Sequence, residues 1–201
     1  MRPHCGSSWR RIHRAPTNSS AGEKGSRASP IRSILFSDML FEGTLTQGKE
    51  IPLVDVLLDA GADPDYQRSR EDGKKSDTPL IGAASLGAED VGLRLLAAGA
   101  KPDLRGLFGE TALHWAALLG EDRLVAELII ASNVNLRDEK YNSPPLGWAI
   151  HGWCEPPAGN HGRQREVVAL LVAAGATVER EWLERNNVRA DPELLAALGR
   201  G

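Results

Sequence analysis

Residues 77–103, DTPLIGAASLGAEDVGLRLLAAGAKPD, lie over residues 110–136, ETALHWAALLGEDRLVAELIIASNVNL, without a gap. Leu80, Leu113 and Leu146 stand 33 residues apart, as do Ala83, Ala116 and Ala149. A fixed period of this length marks a repeat architecture, in which each unit buries its apolar faces only against its neighbours.

Each unit reads as two apolar helical faces with a turn between them. Thr78 is placed to cap a first helix, and Pro79 takes its first position, where a missing N–H costs nothing. Ala83 and Ala84 are small enough to let a neighbouring helix approach. After the turn SLGAED (85–90), Val91, Leu95 and Leu96 recur at helical spacing on one face. Gly99 ends that second helix, because glycine enters the left-handed conformation without a Cβ penalty.

The stretches TPLIGAASLG (78–87), TALHWAALLG (111–120) and LLDAGADPD (57–65) resemble the ankyrin repeat. YNSPPLGWAIHGW (141–153) is similar to a terminal variant found in bacterial ankyrin repeat proteins. The resemblance covers roughly residues 35–178 and implies an all-α solenoid of about four helix-turn-helix units. It also implies turn "fingers" that project from one side and bind other proteins. The units fall at about 33–72, 73–105, 106–138 and 139–178, within a repeat domain of residues 33–201. The first unit is degenerate: EIPLVDVLLDAGADPDYQ (50–67) is a clear second helix and turn, whereas SILFSDMLFEGTLTQG (33–48) fits a first helix loosely. A capping helix is expected at about 190–199, with Asp191 as cap, Pro192 at its start, and Leu194, Leu195 and Leu198 covering the last apolar face, since terminal units of a solenoid must shield their outer side.

Departures from the pattern carry their own expectations. Ser132 stands where Gly61, Gly99 and Gly175 close their helices, so the left-handed position passes to Asn133 or the change costs about 1 kcal/mol. Gly147 replaces the motif histidine that His114 supplies. The resemblance implies that this histidine hydrogen-bonds neighbouring turns, so the fourth unit is expected to be more loosely tied. Ala83 to Leu95 and Ala116 to Leu128 each span 12 residues, whereas Ala149 to Leu171 spans 22. Ten residues are therefore inserted in the fourth unit, with its first helix expected to end near Gly152 and its second to begin near Arg165. Doubling a surface loop costs only about 0.6 kcal/mol more to close. Pro156, Pro157, Gly159 and Gly162 suit such a loop, and with Trp153 in the place of Gly87 and Gly120 the 153–163 insertion reads either as a lid folded over the end of the stack or as an extra finger for a partner.

Composition limits the function classes. Residues 1–32 carry seven Lys/Arg against Glu23 alone, a balance of +6, which leaves 17 against 26, or −9, for residues 33–201. The first segment is rich in Arg, Ser, Gly and Pro, has no apolar period, and reads as a disordered basic tail. No apolar stretch follows Arg10-Arg11 to make a signal peptide, and no run approaches the roughly 18–20 residues of a membrane span. Two cysteines, Cys5 and Cys154, make no disulfide framework and fit a reducing, cytoplasmic setting.

Three motifs suggest chemistry. GTLTQGKE (43–50) falls short of a phosphate-binding loop, because Glu50 stands where a hydroxyl must hold magnesium. His151, Cys154 and His161, with Glu155 nearby, offer zinc ligands, and a metal-dependent regulator or enzyme built on this 151–161 loop is the alternative function. A closed structural site wants four ligands at tighter spacing, and His151 reads more simply as an exposed residue at a helix end. His114 and Trp115 lie within the repeat motif, and Trp115 recurs as Trp148, so packing between units accounts for them. Glu121, Asp122 and Glu127 read as a solvated helix surface. The expectation is a monomeric, non-catalytic interaction module without a cofactor, with a protein and not a nucleic acid as its partner.

The resemblance implies that contacts come from the turn tips and from first-helix positions after the paired small residues. In this sequence these are Lys74, Lys75, Asp77, Ser85 and Leu86, then Leu107, Phe108, Glu110, Leu118 and Leu119, then Lys140, Tyr141, Ser143 and His151. Leu107, Phe108, Leu118, Leu119 and Tyr141 make this surface apolar, as an interaction patch requires, unless Leu118 and Leu119 pack between units instead. The flanking lysines point to a partner segment with apolar and acidic character.

Overall fold

The computed structural model describes residues 50–69, 73, 75–157 and 163–199. The basic tail, the expected first helix of unit one, Lys74 and His161 lie outside the described residues. Ten helices run in order along the rest, and no strand is present among the described residues. An isolated bridge between Ser69 and Lys75 marks the first finger.

The first described helix, α1 (Glu50–Asp59), packs against α3 (Glu89–Ala97). Three helical pairs form the array: α2 (Pro79–Ser85) with α3, α4 (Ala112–Leu119) with α5 (Asp122–Leu128), and α6 (Pro145–Cys154) with α7 (Gln164–Ala173). First helices stack on first helices and second on second. Leu80, Leu113 and Leu146 are buried through this stack, with Ala83, Ala116 and Ala149 fully inaccessible between them. The period of 33 is thus the repeat distance of one continuous core.

Local chemistry sets the helix ends. The Thr78 hydroxyl accepts the Ile81 N–H at 3.1 Å, with Pro79 beginning α2. Gly61, Gly99 and Gly175 adopt φ near +80° to +90° at the ends of α1, α3 and α7. In the third unit neither Ser132 nor Asn133 enters the left-handed region. There α5 stops at Leu128, and the N–H groups of Ile130 and Ala131 turn back to the carbonyls of Glu127 and Leu128. Arg105 and Arg137 are 32 positions apart, one short of the period, so the connection from Leu128 to Arg137 is one residue shorter than that from Leu95 to Arg105. Ile130 is left 78% exposed as a result of this early exit.

The stack is tightest where glycine allows it. A Cβ on Gly152 would collide with the carbonyl oxygen of Leu118, so α4 and α6 touch backbone to backbone. Accordingly α6 runs on to Cys154, beyond the end expected near Gly152, and α7 begins at Gln164. Gln164 is buried and donates its amide to the Leu118 carbonyl at 3.2 Å.

The C-terminal end is more elaborate than a single capping helix. Two single-turn helices, α8 (Arg180–Leu183) and α9 (Asn186–Arg189), precede α10 (Pro192–Ala197). The Asp191 carboxylate accepts the N–H groups of Glu193 and Leu194 and pairs with Arg165. Leu194 and Leu198 are buried and Leu195 is half-buried. A Cβ on Gly147 would collide first with the Ser143 hydroxyl and would stand 3.1 Å from the ring of Trp182 of α8, so the space beside the motif-histidine position is shared by Ser143 and the cap.

Glu121 departs from the expected solvated surface, while Glu127 is exposed and Asp122 half-buried. Glu121 is only 7% exposed, and neither carboxylate oxygen has a hydrogen-bond partner among the described residues. The neighbouring Glu89 takes the capping role instead, accepting the N–H groups of Arg123 and Leu124 at the start of α5. Burial, reinforced by the Glu89 charge, pushes the Glu121 carboxyl up to about 8.

This packing sets the sign of three substitutions. A carboxyl raised in the folded state favours folding below its ordinary value of 4.5 and loses that contribution as pH rises toward 8. Glu121→Gln should therefore stabilise the array by about 1–3 kcal/mol at pH 7, with the gain fading as pH falls toward 4.5 in denaturant titrations. Gly152→Ala should lower stability by about 1–3 kcal/mol by forcing α4 and α6 apart. Gly82→Ala, where nothing lies within 4 Å of the added carbon, should raise it by about 0.5–1 kcal/mol.

Candidate partner-binding site

The fingers lie between the second helix of one unit and the first helix of the next. Their tips are shaped by carboxylates that gather backbone N–H groups. In the third finger the buried Asp138 accepts the N–H groups of Lys140 and Tyr141 through Oδ1, at 2.8 and 2.6 Å. Its Oδ2 accepts the Ser143 N–H and the Trp148 indole N–H, each at 3.1 Å. The equivalent position in the second finger is Gly106, and two other carboxylates supply the acceptors. Asp77 accepts the Leu107 N–H at 2.9 Å, and Glu110 accepts the Phe108 N–H at 2.8 Å. Glycine suits this position, since a Cβ at 106 would stand 2.5 Å from the Asp77 oxygen and 2.9 Å from that of Glu110 and would push both carboxylates off their N–H partners.

Neighbouring tips are joined. The Glu139 N–H donates to the Phe108 carbonyl at 2.7 Å, and Arg105 donates to the Arg137 carbonyl at 3.2 Å. Deeper down, His114 connects a first helix to the next finger. Its Nδ1 accepts the Thr111 N–H at 3.1 Å, which places the proton on Nε2, directed at the Leu136 carbonyl 3.1 Å away. Burial lowers this imidazole to about 4, against the opposing Asp138 charge, so the neutral form makes both bonds. His114, Trp115 and Tyr141 all meet the Trp148 ring edge-on, at centroid distances of 5.4, 5.1 and 6.0 Å. That arrangement explains Trp115 and Trp148 as packing between units.

The tip surface combines aromatic rings and a cation. Phe108 is 36% exposed, and the Lys140 ammonium lies 4.6 Å from its ring centre and 5.0 Å from that of Tyr141. Lys75 and Asp77 are exposed on the preceding finger, and Leu107 and Ser143 are half-buried.

Several expected contact residues lie elsewhere. Glu110 is 1% exposed, turned inward by its bond to Phe108, and burial beside Asp77 raises its carboxyl. Leu118 is 5% exposed and Leu119 half-buried against the core, because the close approach of α6 at Gly152 shuts the groove between the first helices. His151 is also buried, inside α6 and not exposed at a helix end, and burial lowers its imidazole. Leu86 and Ser85 remain half-buried on α2. The surface the structure brings together is therefore a row of fingertips, with the concave helical positions of units three and four closed off.

The inserted loop is described up to Pro157 and from Arg163. Trp153 is half-buried on α6 and stacks with the Arg165 guanidinium, 4.7 Å from its ring centre, beside Cys154 and the start of α10. Among the described residues no group of three His, Cys, Asp or Glu side chains is arranged to hold a metal ion. No helix among them is long and apolar enough to cross a membrane.

A family model of ankyrin repeats, in three copies, matches residues 45–138 and again residues 80–181. The chain belongs to the ankyrin repeat family. No curated protein matches it by sequence. Ankyrin repeats generally act as protein-interaction modules.

Asp138 was not apparent as a functional residue in the sequence, although its place at the base of the finger, in line with Gly106, is the signal that marks it. Replacing one oxygen by an amide would point a donor at the Ser143 and Trp148 donors. Asp138→Asn should therefore cost about 2 kcal/mol, and the Trp148 indole proton should shift clearly in NMR spectra.

Proposed function

We propose that this ankyrin array is a non-catalytic module that binds a protein partner through its fingertips, chiefly Phe108, Lys140 and Tyr141, with Leu107 and Lys75 alongside. The supporting observation is the exposed Phe108 ring held under the Lys140 ammonium on tips fixed by the carboxylates of Asp77, Glu110 and Asp138. An apolar, preset surface with a charged rim is what a specific contact uses, and aromatic residues commonly anchor such contacts. Family membership supports a binding role over catalysis. The chain is proposed to act as a cytoplasmic monomer.

Tyr141 also packs edge-on against Trp148, so substituting it disturbs the core along with the surface. Phe108 separates the two. Phe108→Ser should abolish capture of the physiological partner from source-cell extract while shifting the melting temperature by no more than about 2 °C, a surface-level effect of under about 0.5 kcal/mol. Unchanged capture would remove the fingertip from consideration. A large drop in melting temperature would assign Phe108 to the core.

A further inference from the structure

The fingertip row has a sign as well as a shape. Lys101, Arg105 and Arg137, at the bases of the fingers, are paired with Asp65, Glu139 and Glu179. The cations nearer the tips are not neutralised in this way. Lys140 faces the Phe108 and Tyr141 rings, and the exposed Arg68 and Lys75 of the first finger form no ion pair among the described residues. Glu139, the carboxylate beside Lys140, is engaged by Arg105. Residues 33–201 as a whole carry −9 and the first finger also exposes Asp77, so the positive character of the row is local to Arg68, Lys75 and Lys140.

Geometry limits what such a row can hold. The tips follow one another, joined by the Leu107 to Asp77 and Glu139 to Phe108 hydrogen bonds, so a ligand touching all three fingers must be elongated. Three cations are few for a nucleic acid, since binders of that class neutralise on the order of 6–10 phosphates and the excess negative charge here repels a polyanion. A short acidic segment avoids this, because charges beyond about 8 Å are screened at physiological salt while the contacting carboxylates are not.

We infer that the fingertips take an extended acidic segment of a partner protein. An apolar or aromatic side chain of the segment rests on Phe108, one carboxylate faces Lys140, and another reaches Lys75 and Arg68. This rests on the fingertip reading above and adds the chemistry of the partner.

The test uses the intact chain and three fluorescein-labelled probes: a short Asp/Glu peptide with a central Leu-Phe pair, the same peptide with Lys for every acid, and an oligothymidine of similar length. Fluorescence anisotropy should show that the acidic peptide binds best and weakens several-fold between 50 and 300 mM NaCl. Lys140→Glu and Lys140→Met should each weaken it, the first by about tenfold or more, with melting temperatures near the parent. Phe108→Ser should weaken binding while keeping the salt dependence. Equal or tighter binding of the basic peptide or the oligonucleotide would overturn the inference. So would an unchanged affinity in both Lys140 variants, or no acidic-peptide binding at Kd values up to about 1 mM. Should Phe108→Ser abolish capture of the cellular partner while Lys140→Glu does not, the fingertip site stands and the acidic ligand falls. Loss of neither removes both.

Discussion

The buried carboxylate of Asp138 holds together three parts of the molecule that would otherwise be independent. It accepts two N–H groups that shape the third fingertip, one that closes its far side, and the indole of Trp148 on the first helix of unit four. Trp148 in turn meets His114 and Trp115 of unit three and Tyr141 of the finger itself. Burying a charge is costly unless its lone pairs are satisfied. Here four donors meet that condition, so the fold of the finger and the placing of the aromatic cluster are a single requirement. The neutral His114 completes it by linking the Thr111 cap to the Leu136 carbonyl on the same finger.

Small residues decide where this array can and cannot receive a partner. Between units three and four, Gly152 lets the two first-helix backbones meet, which buries Leu118 and His151 and shuts the groove. Between units two and three, Gly106 admits two carboxylates that hold the second fingertip. One glycine closes a surface and the other builds one. The outcome is a shift of the available contact area from helices to tips.

Much of this was legible in the sequence. The 33-residue period gave the helical pairs, and Thr78, Pro79, Gly99, Asp191 and Pro192 marked helix ends found where the cap chemistry puts them. What the sequence left undecided depended on neighbours. Leu118 and Phe108 are both apolar residues in the same unit, and only the Gly152 contact determines that one is covered while the other is not. Glu121 looked like an ordinary surface acid because its burial comes from the way Glu89 of the preceding unit takes over the cap. The absence of a left-handed residue at 132–133 goes with a connection from Leu128 to Arg137 that is one residue shorter than that from Leu95 to Arg105, which an overlay at a constant 33 does not show. The two short helices before α10 lie beyond the period altogether, and Trp182 lies beside Gly147 in a contact no repeat pattern encodes.

The pairing of Lys140 with two aromatic rings has a consequence for recognition. A lysine side chain at a surface ordinarily carries about 2 kcal/mol of rotamer entropy, some of which is lost when a partner fixes it. Stacked between Phe108 and Tyr141, this ammonium is already localised, yet its charge has not been cancelled by a carboxylate of the described residues. Aromatic faces thus order a cation without neutralising it, which an ion pair cannot do. The fingertip therefore offers its charge in a preorganised position, and binding there loses less freedom than the length of a lysine side chain would suggest.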